Sequence, residues 1–336
     1  MAFHEFMQWN AERQLEACGD LAQRRGLAVG LYLDTAIGVD AGGADAWMDQ
    51  GIMLHGLSVG APPDQFNPAG QDWGLTAYNP HGLVAANFEP FRQMLRAAMR
   101  HAGAVRIDHV LGLMRLYLIP REFNAARGAY MRLPFTDMLN VVAEESRRWS
   151  CITIGEDLGT VPENFRAMLS AWGVWSYLVV LFERHHDGSF KWPDQYPERA
   201  IATFNTHDLA TFAGWMIDHD LKLKRGIGFD PGETDLDRHH SRVALCSMLS
   251  AATRHEQISF DTIAAFLAST PTRLVSIAIE DVLGLSDQPN VPGTVTEHPN
   301  WRRRWPVQLD ALRSDQRLRR IAGILSRAGR GTISAA

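Results

Sequence analysis

Three short strings, VRIDH at 105–109, IGEDLG at 154–159 and NTHDLAT at 205–211, each set a carboxylate where a run of β-type residues ends. On that ground Asp108, Glu156 and Asp208 are the candidate catalytic residues. They lie 48 residues apart (108 to 156) and 52 apart (156 to 208), which suits successive strand–helix units carrying insertions. Barrels of such units gather their chemistry at the C-terminal ends of the strands. Strand side chains alternate, so Arg106 shares a face with Asp108 and is expected to keep it ionised, as suits a nucleophile or a charge stabiliser. Glu156 emerges from the apolar run CITIG, where desolvation is expected to raise its pKa, as suits a general acid. One carboxylate kept charged beside one kept protonated is the pairing that glycoside cleavage uses. His207 can donate to a sugar hydroxyl, and Asp208 can accept from neighbouring ones.

A pyranose offers apolar C–H faces and a polar rim. The stretch GAPPDQFNPAGQDWGLTAYNP at 60–80 answers both, with Phe66, Trp73 and Tyr78 set among Asp64, Gln71 and Asn79. Ten Trp and six Tyr in the whole chain agree with a sugar-binding surface. No HxH or HExxH pattern occurs, which argues against a metal-dependent site. His185–His186 and His239–His240 read as surface pairs. Three well-separated cysteines, Cys18, Cys151 and Cys246, argue against a disulfide framework and fit a reducing cytoplasm. A net charge of −5 gives no broad basic field for nucleic acid. Arg302–Arg304 and Arg317–Arg320 read as solvated helix faces. No run of about 18 apolar residues spans a membrane, and the polar start MAFHEFMQWNAER lacks a secretory apolar stretch.

The elements that must position these residues alternate between β-like and α-like periods, as βα units with a parallel sheet require. Strands are expected near Ala28–Leu33, Ala104–Ile107, Cys151–Gly155, Ser176–Phe182, Ala200–Phe204 and Arg273–Ile279. Helices are expected over Glu5–Gln23, over Pro90–His101 with Phe91, Met94, Leu95 and Ala98 on one stripe, and over Phe135–Trp149 with Thr136 as N-cap. Residues 55–82 read as a long ordered loop without a period. Residues 218–262 read as a helical insertion with an apolar stripe through Val243, Leu245, Met248 and Leu249. Six units in 336 residues describe one partial (β/α)8 barrel domain, an α/β fold lacking two of eight units.

With these residues in hand, the chain resembles the amylomaltases, also called 4-α-glucanotransferases or disproportionating enzymes, of glycoside hydrolase family 77, in their bacterial maltodextrin-utilisation branch. GLYLDTAIGVDAGGADAW at 30–47 is similar to that family's third barrel strand, and the 60–80 stretch to its glucan-gripping loop. The three acid strings are similar to its fourth, fifth and seventh strand motifs, and PNVPGT with NWRRR at 289–304 to its closing segment. The resemblance implies Asp108 as nucleophile with Arg106 as charge partner, Glu156 as general acid/base, and Asp208 with His207 as transition-state stabiliser. It implies Asp34 as a binding residue, Phe66, Gln71, Trp73 and Tyr78 along the sugar grooves, and hydrogen bonds from Asn290 and Asn300. The implied reaction is retaining transfer of an α-1,4-glucan segment between maltooligosaccharides, without cofactor. An α-amylase-like hydrolase and an inactive glucan-binding remnant are the rival readings. Thr35 and Ala210 depart from the family pattern at packing positions. Two barrel strands precede the matching segment in the family, so strands three to eight are expected here, with an open edge prone to self-association or to covering by a separate N-terminal segment.

Overall fold

The computed structural model describes residues 2–64, 69–159, 161–255 and 257–331, and contacts divide the chain into two compact units. The first comprises Met1–Pro63 and Ala69–Tyr177, and the second chiefly Leu178–Ala336. In chain order the first runs α1 (Ala2–Arg24), β1 (Tyr32–Thr35), β2 (Val39–Asp40), α2 (Ala44–Met48), β3 (Leu57–Ala61), β4 (Gln71–Thr76), α3 (Pro80–Ala85), α4 (Glu89–Met99), β5 (Ala104–Ile107), β6 (Arg115–Pro120), β7 (Ala129–Arg132), α5 (Phe135–Trp149), β8 (Ile152–Gly155), α6 (Phe165–Ala171) and β9 (Trp175–Val179).

Strands β1, β5, β8 and β9 pair in parallel in that order, with Asp34 opposite Arg106 and Ile107 opposite Gly155. All four residues of β5 are buried, as a short strand covered on both faces requires. Helices α4 and α5 cover this sheet. Phe91, Leu95 and Met99 of α4 repeat every four residues and are buried together with Met138, Leu139 and Val142 of α5. Glu145 of α5 is fully buried. It receives the guanidinium groups of Arg92 at 3.2 Å and Arg96 at 3.1 Å, and the Trp149 indole N–H at 3.2 Å. Burial works against its charge, and the bonds from Arg96 and Arg92 hold its carboxyl below the ordinary value.

The expectation for residues 55–82 needs correction. Instead of an ordered loop without strands they carry β3 and β4, which join β2, β6 and β7 in a five-stranded antiparallel sheet ordered β2-β4-β3-β6-β7. A register shift between Val59 and Gly60 breaks the alternation that a sequence reading depends on. Among the expected strands, that at Ala104–Ile107 keeps its bounds. The first shifts toward Tyr32–Thr35 because Gly30 adopts φ +72° and turns the chain just before it. Helix α5 keeps its bounds, but its N-cap is Pro134, and Thr136 lies inside the helix.

The second unit holds β10 (Ala200–Thr203), α7 (Phe212–Met216), α8 (His219–Gly226), α9 (Asp235–Thr253), α10 (Phe260–Ser269), β11 (Leu274–Val275), α11 (Ile279–Leu283), α12 (Leu309–Leu312) and α13 (Gln316–Arg327). Strands β10 and β11 are parallel, with Ile201 opposite Leu274. Thr234 and Asp237 cap α9 reciprocally. The stripe on α9 buries Leu245, Met248 and Leu249, whereas Val243 is exposed. The segment expected as strand to residue 279 keeps only two strand residues and then enters α11, and Ser176–Phe182 ends as a 3₁₀ turn over Val180–Phe182. Arg302–Arg304 lie outside any helix, and Arg303 pairs with Asp287 at 2.6 Å.

Candidate functional site

Asp108 and Glu156 each follow the last residue of a strand, β5 and β8, whose ends are in register. The parallel ladder continues past both: the Asp108 N–H donates to the Thr35 carbonyl (2.9 Å), the Glu156 N–H to the Ile107 carbonyl (2.9 Å) and the Val110 N–H to the Glu156 carbonyl (2.9 Å). The two carboxylates therefore start from neighbouring backbone positions, about 4.8 Å apart across a sheet. Arg106, one turn of the pleat before Asp108, places one guanidinium nitrogen 2.5 Å from Asp108 Oδ1 and another 2.6 Å from Asp34 Oδ2. Burial opposes the Arg106 charge, but Asp108 and Asp34 more than offset it and raise the pKa. The Tyr177 ring lies beneath the guanidinium, 5.4 Å away. A single fixed cation thus orients Asp34 and Asp108 together.

Glu156 is 8% exposed. Desolvation first, and the neighbouring Asp108 charge second, push its pKa up to about 7. The backbone N–H groups of His109 and Leu158 donate to its two oxygens at 2.8 Å each and moderate the rise. Near neutral pH this carboxyl can both give and take a proton, which is what a group acting alternately as acid and base needs.

His109 is a residue that the sequence reading passed over, although it stands inside the VRIDH string. Its backbone is left-handed at φ +45°, which turns its N–H onto Glu156. Burial lowers the imidazole pKa to about 4, helped by Arg115, so the ring is neutral. Trp73 packs edge-on against it at 5.1 Å and donates from its indole N–H to Gln71 Oε1 at 3.1 Å. Gln71 and Trp73, two residues apart on β4, are thereby brought to His109, the residue that follows Asp108.

Not every expected binding residue joins them. Tyr78 is buried in the hydrophobic core of the first unit, so it cannot offer a ring face to a sugar from there. Phe66 lies outside the described residues.

In the second unit, Asp208 lies beyond the end of β10 in a turn where its N–H meets Thr206 Oγ1 at 3.1 Å. The Asn290 amide donates to Asp208 Oδ1 at 2.6 Å, and His207 Nε2 lies 3.3 Å from Oδ2. Gln288 and Trp301 were missed from sequence. The Gln288 amide reaches the Asp208 carbonyl at 3.4 Å, and the Trp301 ring packs 5.2 Å from that of His207. Trp301 sits in the NWRRR string, and nothing local marked it as a neighbour of His207. The Asn300 amide accepts from the Val291 N–H and donates to Thr294, closing the 291–300 loop on itself. Among the described residues no group of three or more His, Cys, Asp and Glu could hold a metal ion.

Paired carboxylates just past adjacent strand ends of a parallel α/β sheet stand where enzymes built of βα units carry their active sites. The model of one family, described as 4-alpha-glucanotransferase, matches residues 1–310, and the chain belongs to that family, glycoside hydrolase family 77. It is 36% identical over 335 residues to the 4-alpha-glucanotransferase of Haemophilus influenzae, covering 94% of this chain and 48% of that protein. Against the Mycobacterium tuberculosis 4-alpha-glucanotransferase it is 36% identical over 314 residues, 89% of this chain and 43% of the relative. Amylomaltase from Corynebacterium glutamicum superposes with TM-score 0.88 at 29% identity, over 96% of this chain and 50% of that one. The amylomaltase from Streptococcus agalactiae in complex with acarbose shares the fold, with TM-score 0.76 at 20% identity over 98% of this chain and 63% of that one. The fold is accordingly α/β and barrel-like. The chain spans about half the length of the curated relatives it matches. Among the described residues no helix is long and apolar enough to cross a membrane.

Proposed function

We propose that this chain transfers α-1,4-glucan segments between maltooligosaccharides by double displacement. The observation that carries the reading is the unlike pair at the ends of β5 and β8: Asp108 ion-paired to a buried arginine, and Glu156 buried and protonating near neutrality. Asp108 attacks the anomeric carbon while Glu156 protonates the departing glucan oxygen. The glycosidic bond breaks, a covalent glycosyl ester forms on Asp108, and the shortened glucan leaves with the proton. Glu156, now ionised, takes the proton of an incoming 4-hydroxyl, whose oxygen displaces Asp108 and regenerates the carboxylate. Two inversions retain the α configuration, for which carboxyls about 5–5.5 Å apart are required.

Arg106 and Asp34 position the nucleophile, and Asp34 also takes sugar hydroxyls. Gln71 and Trp73 present a polar edge and a ring to the sugar, with Phe66 assigned the same role by its motif. Asp208, assigned by its motif to stabilise the oxocarbenium-like transition state, is oriented by Asn290 and His207. Glucans are the partners this reading needs, and neither cofactor nor nucleic acid enters it. Three free cysteines fit a reducing cytoplasm.

Incubating residues 1–336 with maltotriose and resolving the products by length tests the reading. Longer maltodextrins that disappear in Asp108→Asn are expected. Maltose and glucose without any longer product would replace transfer by hydrolysis, and a folded protein giving no product would overturn the proposal for this chain.

A further inference from the structure

The turn that carries His207 and Asp208 is anchored by an acid that the catalytic reading does not use. Asp281, in α11, is 3% exposed, and a carboxyl that deep is unfavourable unless polar partners meet it. Its Oδ1 accepts at 2.6 Å from the N–H of Phe212, the first residue of α7, where a helix offers that donor no partner of its own. The Asn205 side chain reaches the same carboxyl and favours its charged form. Asn205 opens the NTHDLAT string and Phe212 directly follows it. One carboxyl therefore meets both ends of the turn.

The surrounding bonds lead the same way. Asn205 Nδ2 donates to the Ala210 carbonyl at 3.0 Å, and Thr203 Oγ1, at the end of β10, donates to the Asn205 carbonyl at 3.0 Å. Thr211 Oγ1 donates at 2.6 Å to the carbonyl of Leu285, two residues past α11. A Cβ on Gly214 would collide with the Ser286 carbonyl oxygen, so α7 and the chain leaving α11 approach as closely as backbones can. That chain then runs to Asp208 itself: besides the side-chain bonds of Gln288 and Asn290, the Asn290 N–H donates to the His207 carbonyl at 3.2 Å. The turn bearing Asp208 and the segment gripping it thus share one short helix as their base, and Asp281 is the polar tie between them. Leucine at 281 would fill a similar volume and leave the buried Phe212 N–H without its acceptor.

We infer that Asp281 is a positioning residue for the transfer reaction: by tying Asn205 to Phe212 it fixes the turn between them, and with it the direction of the Asp208 carboxylate. The inference rests on the transferase reading for the role of Asp208. A group that stabilises developing charge has to be aimed before the reaction starts, and misplacement by about 1 Å costs on the order of 10²-fold. Such a loss falls on kcat and kcat/KM together and leaves KM where it was.

Asp281→Asn keeps the size of the side chain and an oxygen for the Phe212 N–H, but sets amide donors against those of Asn205. Asn205→Ala cuts the same contact from the other side and serves as the second variant. Two measurements are made on the full chain near neutral pH: kcat and KM for transfer from maltotriose, and amide hydrogen exchange resolved by peptide. In each variant kcat is expected to fall about tenfold to hundredfold, with KM within about twofold of the parent value. Exchange over residues 205–212 is expected to rise about tenfold while exchange in α9 and α10 stays as in the parent. Unchanged exchange over 205–212, a rise spread evenly through the second unit, an unchanged kcat, or a loss expressed in KM would overturn the inference. If the unaltered chain transfers nothing from maltotriose while the local rise in exchange persists, the transferase reading fails and the hold of Asp281 on the turn stands.

Discussion

Replacing Glu156 by glutamine tests whether its surroundings, burial first and the Asp108 charge second, raise the pKa of this acid. In the folded protein the Glu156 pKa is about 7 against an ordinary 4.5, a difference of about 2.5 units, or roughly 3 kcal/mol at 1.36 kcal/mol per unit. The folded state binds this proton more tightly than the unfolded one. The stability it contributes is thus fully present below pH 4.5 and is lost as pH rises through about 7. Glutamine never ionises and escapes that loss. Its amide oxygen can accept only one of the two N–H groups, of His109 and Leu158, that now hold the carboxylate, and the unmet one costs about 1–3 kcal/mol at every pH. Glu156→Gln is therefore expected to be the less stable protein at pH 4.5 and to recover by roughly 3 kcal/mol relative to the parent by pH 8. Urea titrations of both proteins across that range read the difference directly, and contributions from groups that do not interact with Glu156 cancel. Transfer from maltotriose should fall about 10²–10⁴-fold in the same variant, and the alkaline limb near pH 7 should vanish. A stability difference that stays flat with pH, or an alkaline limb that survives, would refute the argument that desolvation tunes this group.

Asp281, buried against the Phe212 N–H at 2.6 Å and pushed up to about 7 chiefly by desolvation, obeys the same sign: Asp281→Asn should gain roughly 4 kcal/mol relative to the parent between pH 4 and pH 8, read by urea midpoints. Glu145→Ala leaves two arginines to rehydrate, since Arg92 and Arg96 are partly exposed, and should lower unfolding stability by about 1–3 kcal/mol, with a thermal shift of several degrees. Trp73→Ala removes the ring beside His109 and opens the acid pair to water, so the ratio of glucose released to maltodextrin lengthened should rise from maltotriose. An unchanged ratio would assign Trp73 to packing.

Helix α5 and strand β5 were legible because each carries its whole signal locally: a 3.6-residue apolar stripe in one and four buried residues in a row in the other. The acids at 108 and 156 were legible for a related reason, since a charged residue directly after a buried run marks where a strand emerges. The antiparallel sheet was not, because β2 has two residues and β4 bulges against β3 with a glycine at φ +69° inside the bulge, so no period survives over enough residues. Tyr78 was assigned to sugar by composition, and only the packing around it shows a core residue. Asn300 was similarly ambiguous. An asparagine that closes its own loop and one that binds a ligand have the same spelling, and the bonds to Val291 and Thr294 show the first. His109 acts on Glu156 through its backbone N–H, a group every residue but proline possesses, so side-chain chemistry carried no trace of it.

That last point has an evolutionary side. The Glu156 carboxylate is gripped by main-chain donors at positions 109 and 158, and main-chain donors are indifferent to which side chain they carry. Drift at either position leaves the grip intact unless it installs proline, or, at 109, a residue that resists the left-handed conformation. The strength of this acid is thereby inherited with the shape of two turns, so the side chains at these positions are free to diversify while the hold on Glu156 stays as it was.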